Sequence, residues 1–473
     1  MSTHRFELSE AERRIYRHYA GLALPRHTSY PVAPFWTKDY GPAELLIDLR
    51  HSARAMRPLS LYVHIPFCEQ LCYYCACTKE IVPKSKRGGN DPSDLLLEGL
   101  EIEAQYFAEV IGAGEVQQVH LGGGSPTFLR PDQLEKLFGT LRGNFSIAHD
   151  AEIAVEIDPR VTSLEHLQTL RGLGFNRVSL GVQDFSIAVQ HAINRVQPFE
   201  LVQRLVDWCR SLAFSSINFD LIYGLPFQTL ESMAETLEKT ILLSPDRIAF
   251  YRLAVIPEIF RWQNVFRRTD LPSGDLSLDL NLLAINCLLD AGYRFIGLDH
   301  FAKPDEALAQ ASEHGSLRRT FQGMTTGKEL DIIGLGPSAI SQLDNAYAQN
   351  RKESALWGQA LKSGLATQCG LHLSDDDRLR RELIQQLYGH GTIDKQSLED
   401  RFNVVFDEYF ADELSRLAEL IEQGIVIADP SRIRLTAPLG RLLVRVVAAV
   451  FDRYLPFDAF RNGLPEQQAS KVG

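Results

Sequence analysis

The chain is 473 residues long, 45% hydrophobic and 23% charged, an ordinary globular composition that excludes a largely disordered chain, a collagen-like repeat or a coiled-coil rod. Its 49 Lys and Arg against 60 Asp and Glu leave a net charge of −11, the wrong balance for a protein that must neutralise a run of phosphates. An anionic small ligand remains compatible with that charge if cations are gathered locally.

The first residues, MSTHRFELSEAERR, are charged throughout, and the apolar run LLVRVVAAVF from Leu442 is short and interrupted by Arg445. Neither export nor a membrane span is expected, and a cytoplasmic location follows. An arm over residues 1–54 carries the Pro-punctuated segment LPRHTSYPVAPFW from Leu24. Residues 55–368 form the next unit, alternating β-rich apolar runs with helical windows such as DQLEKLFGTLRGNF from residue 59 to about 254 and continuing in an extension. Six strands are predicted, starting at Leu59, Val116, Ala151, Arg177, Ser216 and Arg247. Such a βα repeat gives an α/β fold, either a partial barrel or a doubly wound sheet, with ligands at the carboxyl ends of the strands. The stretch KSKRGGNDPS from Lys84 reads as a flexible surface loop. Residues 369–473 are helix-rich. Between Asp375 and Asp429 they carry 14 acidic and 6 basic side chains, followed by the strand-like IVIAD and IRLTA, a winged-helix-like pattern whose charge speaks against DNA.

Seven cysteines in a chain without an export signal do not suggest a disulfide framework. Cys209, Cys287 and Cys369 are scattered and read as inert core residues. Cys68, Cys72 and Cys75 form C-x3-C-x2-C just after the first strand, with Cys77 beyond. Three thiolates on one loop can hold three irons of a [4Fe-4S] cube and leave the fourth iron open for S-adenosylmethionine, whose reductive cleavage yields a carbon radical. A structural zinc would need a fourth ligand such as His64 or Cys77, and usually a second C-x2-C that the chain lacks. Tyr73 and Tyr74 either pack the loop or cover an adenine ring. The glycine run of HLGGGSPT is either a turn or a place where backbone amides approach a ligand. Glu156 is either a structural acceptor or a partner for ribose hydroxyls.

The string YVHIPFCEQLCYYCAC resembles the oxygen-independent coproporphyrinogen III oxidases, also called coproporphyrinogen dehydrogenases, of the radical S-adenosylmethionine superfamily. PRHTSYP, HLGGGSPTFL, EIDPR, GVQDF, NFDLIYGLP, LDHFAKPDE, FQG, GPSAIS, YAQN and FDRYL are similar to that family's landmarks in the same order. The resemblance implies a six-stranded parallel βα partial barrel with an N-terminal arm and a helix-rich C-terminal domain. It implies one [4Fe-4S] cluster on Cys68, Cys72 and Cys75, and two S-adenosylmethionines. Tyr62, Gly123, Glu156 and Ile340 match positions around the cofactor on the cluster; Tyr74, Gly124, Ser125, Gln183, Arg195, Asp220 and Ala254 match positions around the second. Cys77, a catalytic position by the same likeness, distinguishes the oxidases from haem-trafficking relatives, which usually carry an aromatic residue there.

The implied reaction turns two propionates of coproporphyrinogen III into vinyl groups, giving protoporphyrinogen IX. Its partners would be the tetrapyrrole and a reduced flavodoxin- or ferredoxin-type donor, with the chain acting as a monomer and without nucleic acid. Arg26 is a candidate for a substrate carboxylate, by position only. Val32, Val255 and Met324 stand where the family usually has Thr, His and Tyr. They are either drift or the mark of a paralogue acting on another tetrapyrrole or transferring methyl groups; a haem-binding or haem-delivery protein is the remaining alternative.

Overall fold

The computed structural model describes residues 5–86, 91–112, 114–326, 329–465 and 469–472. Six strands lie side by side in chain order and all parallel: β1 (Leu59–Ile65), β2 (Glu115–Gly123), β3 (Ser146–Ile157), β4 (Arg177–Gln183), β5 (Ser216–Tyr223) and β6 (Arg247–Arg252). A helix crosses over between each consecutive pair: Pro92–Ile111, Pro131–Asn144, Leu164–Gly172, Phe199–Ser211 and Leu230–Leu243. Their starts are written in the sequence. Asp91 accepts from the Ser93 amide with Pro92 in the first turn, and Thr229 accepts from the Ser232 amide. Helices on the outside bury one strand face and interior packing buries the other, so β1 (LSLYVHI) and β5 (SINFDLIY) are almost continuously buried.

Residues 291–372, read from the sequence as an extension, enlarge this unit to a twelve-stranded, mostly parallel sheet. Beyond β6 come the antiparallel pair β7 (Arg294–Gly297) and β8 (His300–Ala302). On the other side, β1 pairs in parallel with β9 (Asp331–Leu335), which leads into antiparallel β10 (Ile340–Gln342), β11 (Ala346–Asn350) and β12 (Thr367–His372). Both outer members of the expected six thus bond outward to further strands. Towards the amino ends a buried charge network ties the strands together: Arg177 and Arg247 reach Glu152 at 2.7 and 3.2 Å, and Arg247 also pairs with Glu306. Against the upward push of burial, the two guanidiniums hold Glu152 at about 2.

The C-terminal segment combines helices, Asp375–His390 and Ala411–Glu422 among them, with a three-stranded antiparallel sheet of Thr392–Asp394, Val426–Ala428 and Arg432–Leu435. Its core is shared with the arm: Tyr16, Tyr19, Leu24 and Tyr30 pack with Leu383, Leu387, Val446 and Phe451. Arg445 cements this union. Its buried guanidinium donates to the carbonyls of Leu24 and Pro25 in the arm and of Ser470 and Lys471 in the tail. Of the loop expected from Lys84, residues 87–90 lie outside the described residues; Lys84–Lys86 form a single 3-10 turn. No helix among the described residues is long and apolar enough to cross a membrane.

Candidate active site

β1 ends at Ile65, and the chain then makes a loop whose two ends are tied together by parallel pairing of Phe67–Cys68 with Glu80–Ile81. The loop is held from several sides. Asn194 Nδ2 donates to the Leu71 carbonyl at 2.8 Å, the Tyr73 amide to the Ile193 carbonyl at 3.0 Å, and Trp262 Nε1 to the Cys75 carbonyl at 3.1 Å. Lys79 Nζ donates to the carbonyls of Cys75 and Cys77 while lying 4.1 Å from the centre of the Trp262 ring. All four loop cysteines are free thiols. Cys72 is buried, Cys68 and Cys75 are half-buried and Cys77 is exposed at the rim.

Cations gather beside the loop. Arg160 Nη2 and Arg195 Nη1 stand 3.4 and 3.6 Å from Cys72 Sγ, and Asp158 anchors both guanidiniums at 2.6 and 3.2 Å. The Cys77 thiol, then Lys79, pull Cys75 down to about 6 in spite of burial. Cys68 is pushed up to about 12, by burial first and then by the charge of Cys75 and Cys72. Thiols that raise one another's proton affinity form a donor set that a cationic group would stabilise. Among the described residues no three His, Cys, Asp or Glu side chains converge as the ligands of one ion do; three thiolates that each take a different iron of a cube need not converge. The donor chemistry therefore fits a [4Fe-4S] cluster.

Opposite the loop, the end of β2 supplies a bare backbone floor. Gly123 has φ +111°, and a Cβ there would fall 2.6 Å from the His64 ring; one on Gly124 would fall 2.7 Å from the Phe67 carbonyl. Glu156 on β3 accepts from His120 Nε2 at 3.0 Å and from the Gly123 amide at 3.2 Å. These bonds hold it ionised against the opposing effect of burial. His64 Nε2 donates to the Thr78 carbonyl at 2.9 Å, which leaves Nδ1 to accept from the Tyr62 hydroxyl at 3.0 Å. Burial lowers the pKa of His64, in keeping with this neutral tautomer. Tyr62 thus ties the floor of the site to the far end of the cysteine loop. Arg195 donates twice to the Gly181 carbonyl, and Asp220 accepts from Ser179 and Asn218. Gln183 holds φ +66°, a left-handed conformation uncommon for a side-chain-bearing residue, at an irregularity where β4 meets β5.

One cleft of about 160 Å³ gathers Cys68, Cys72, Tyr74, Cys75, Cys77, Gly123, Gly124, Glu156, Gln183, Arg195 and Asp220. The remaining predicted residues sit around it. Tyr62 stacks on His120, the partner of Glu156, and Ile340 stands two strands out from Tyr62, on β10, against Gly334 of β9, which pairs with Tyr62. Ser125 is buried against Thr127. Ala254 lines a second, larger cavity of about 710 Å³, and Gln263 Nε2 joins the two by donating to the carbonyls of Ala254 and Tyr74.

The three departures part company. Val255 is exposed on the large cavity, Met324 is buried in a satellite core with Ile296 and Leu317, and Val32 is half-buried before the turn Ala33–Phe35. Arg26 is paired with Asp299 beside the Tyr251 ring. Sequence reasoning passed over Asp158, Arg160, Lys79 and Trp262. The first two lie inside the quoted EIDPR, but nothing in their spacing announces a second layer that folding alone brings against Cys72.

Two family models match the chain, the radical SAM superfamily over residues 62–240 and the HemN C-terminal domain over residues 373–443. The chain is 44% identical over 438 residues to the oxygen-independent coproporphyrinogen III oxidase of Pseudomonas aeruginosa, covering 92% of this chain and 94% of that protein. To the Escherichia coli K12 protein of the same name it is 42% identical over 449 residues, 95% of each. The solved structure of coproporphyrinogen III oxidase (HemN) from Escherichia coli, described as a radical SAM enzyme, matches with a TM-score of 0.87, covering 91% of this chain and 98% of that one. Identity of this depth, running through both the cysteine-bearing sheet and the C-terminal segment, means that the chain belongs to the oxygen-independent coproporphyrinogen III oxidases, radical SAM enzymes that use a [4Fe-4S] cluster and S-adenosylmethionine.

Proposed function

We propose that this chain converts two propionate side chains of coproporphyrinogen III to vinyl groups without oxygen, giving protoporphyrinogen IX. The observation that carries the reading is the meeting of three free thiols, a glycine floor and an ionised half-buried carboxylate beside a cavity of tetrapyrrole size. Each conversion breaks one C–H bond at the propionate β-carbon and the bond to the carboxylate. A C=C bond forms; the hydrogen atom passes to the carbon radical, carbon dioxide leaves, and one electron passes to an external one-electron acceptor.

Cys68, Cys72 and Cys75 would hold the cluster. Bound there with S-adenosylmethionine, it supplies the electron and the carbon radical that removes the hydrogen atom. Gly123 and Glu156 serve the cofactor on the cluster, Glu156 as acceptor for ribose hydroxyls, while Tyr62 and Ile340 wall that side. Tyr74, Gly124, Ser125, Gln183, Arg195, Asp220 and Ala254 serve a second S-adenosylmethionine, with Arg195 poised for its carboxylate. Cys77 acts in turnover and leaves cluster retention to its neighbours. The arm 1–54, the unit 55–368 with its six strands curled into a partial barrel, and the domain 369–473 divide the work. A reduced flavodoxin or ferredoxin is the donor, and the protein works as a cytoplasmic monomer.

The test is anaerobic incubation of cluster-loaded protein with coproporphyrinogen III, dithionite and S-adenosylmethionine. Two molecules of carbon dioxide per macrocycle and protoporphyrin as the oxidised product are expected. Cofactor cleavage without carbon dioxide overturns the substrate. Equilibrium dialysis should return two S-adenosylmethionines per chain, and one at saturation overturns the second site.

A further inference from the structure

Arg252 is the last residue of β6, at the carboxyl end of the strands, and its side chain lines the large cavity. Its Nη1 is buried and has no hydrogen-bond partner among the described residues. Buried polar groups are almost always satisfied, and those that are not call for an explanation. Among the described residues, Tyr16, Tyr223 and a second cation, Arg445, lie within electrostatic reach of this guanidinium, and Arg445 is itself held by backbone carbonyls and the Ser470 hydroxyl. Two guanidiniums in one field, neither ion-paired with a carboxylate of the described residues, favour an anion. The carboxylates on the cavity wall do not answer that need: Asp275 is engaged by Arg17 at 2.6 Å, and Glu258 is exposed. Planar, bidentate and permanently charged, an arginine suits a carboxylate.

We propose that Arg252 receives a carboxylate of the bound substrate and thereby orients it in the large cavity. The assignment rests on the tetrapyrrole reading above, and the ligand group is a propionate of the macrocycle. The Tyr16 hydroxyl, brought by the arm, borders the same space. Ala254 and Val255 follow Arg252 directly on the wall, and Gln263 joins that wall to the cysteine loop, so a carboxylate fixed at Arg252 fixes the macrocycle relative to the site of hydrogen removal.

The probe is coproporphyrin III, the fluorescent oxidised macrocycle, titrated into cluster-loaded protein with S-adenosylmethionine present and without reductant; its tetraamide is the control. Arg252→Gln should weaken coproporphyrin binding roughly 10- to 100-fold, the range for a lost hydrogen bond to a charged group. Arg252→Lys should fall between, and the tetraamide should bind wild type and Arg252→Gln alike. Unchanged coproporphyrin affinity in both variants overturns the assignment to Arg252 and leaves the proposed reaction standing. A wild-type protein that neither binds coproporphyrin nor releases carbon dioxide from coproporphyrinogen overturns both.

Discussion

Asp220 shows how one side chain carries the conflict between folding and binding. Burial, and then the negative charge of Glu156, push it up to about 6, while Ser179 and Asn218 donate to its oxygens. A carboxyl group raised above its unfolded value loses nothing below about pH 4, where it is protonated in both states. Stability is lost as pH rises from there through about 6, and the loss is constant above; a displacement of this size corresponds to about 2–3 kcal/mol. Asp220→Asn should therefore raise the melting temperature at pH 7.5 without S-adenosylmethionine, and the gain should fade by pH 4.5. Equal melting temperatures of the two proteins at pH 7.5 would show that Asp220 is ionised at little cost. A residue kept under such strain is what a ligand-binding position looks like, and the strand context of NFDLIYGLP alone could not reveal it.

At the scale of the element, the proposal divides the cysteine loop into three ligands and one residue that acts in turnover. Two guanidiniums stand against Cys72, buried between the half-buried Cys68 and Cys75, whereas Cys77 stands exposed at the rim. Replacing any one of the three by Ala should abolish the brown iron–sulfur absorbance and all cleavage of S-adenosylmethionine. Cys77→Ala should keep the absorbance and slow turnover; loss of iron from anaerobically reconstituted Cys77→Ala would show that the ligands are wrongly assigned. This loop and the six parallel strands were legible because local rules govern them: thiol spacing in one case, alternating apolar runs in the other. The outer strands were not. β8, β10 and β11 span only three to five residues each and carry no long pattern of their own, and they are strands because β6, β9 and β10 offer them an edge.

On the scale of the whole molecule, the arm and the C-terminal segment share one core, both contribute to the wall of the large cavity, and Arg445 binds carbonyls of both. Nothing in LLVRVVAAVF announces that role, since its arginine reads there only as an interruption of an apolar run. Arg445→Met would leave the carbonyls of Leu24, Pro25, Ser470 and Lys471 without their shared donor. Each buried carbonyl so orphaned costs about 1–3 kcal/mol. The expected outcome is faster tryptic cleavage within the arm, at Arg17 and Arg26, and a lower melting temperature, while the protein still takes up its cluster. Cleavage at the wild-type rate would show that the shared apolar core alone holds the arm.

Pairing between Ala23 and Lys471 also imposes a timetable on biosynthesis. The arm emerges from the ribosome first and must wait, at ~5–20 residues per second, for ~20–90 s until its partner strand is made. During that interval the strands and the cysteine loop are already complete while their cover is not. Iron–sulfur delivery to the nascent chain thus has a wider approach than it will have to the finished protein, and apoprotein loaded after synthesis should take up iron more slowly than protein loaded as it is made.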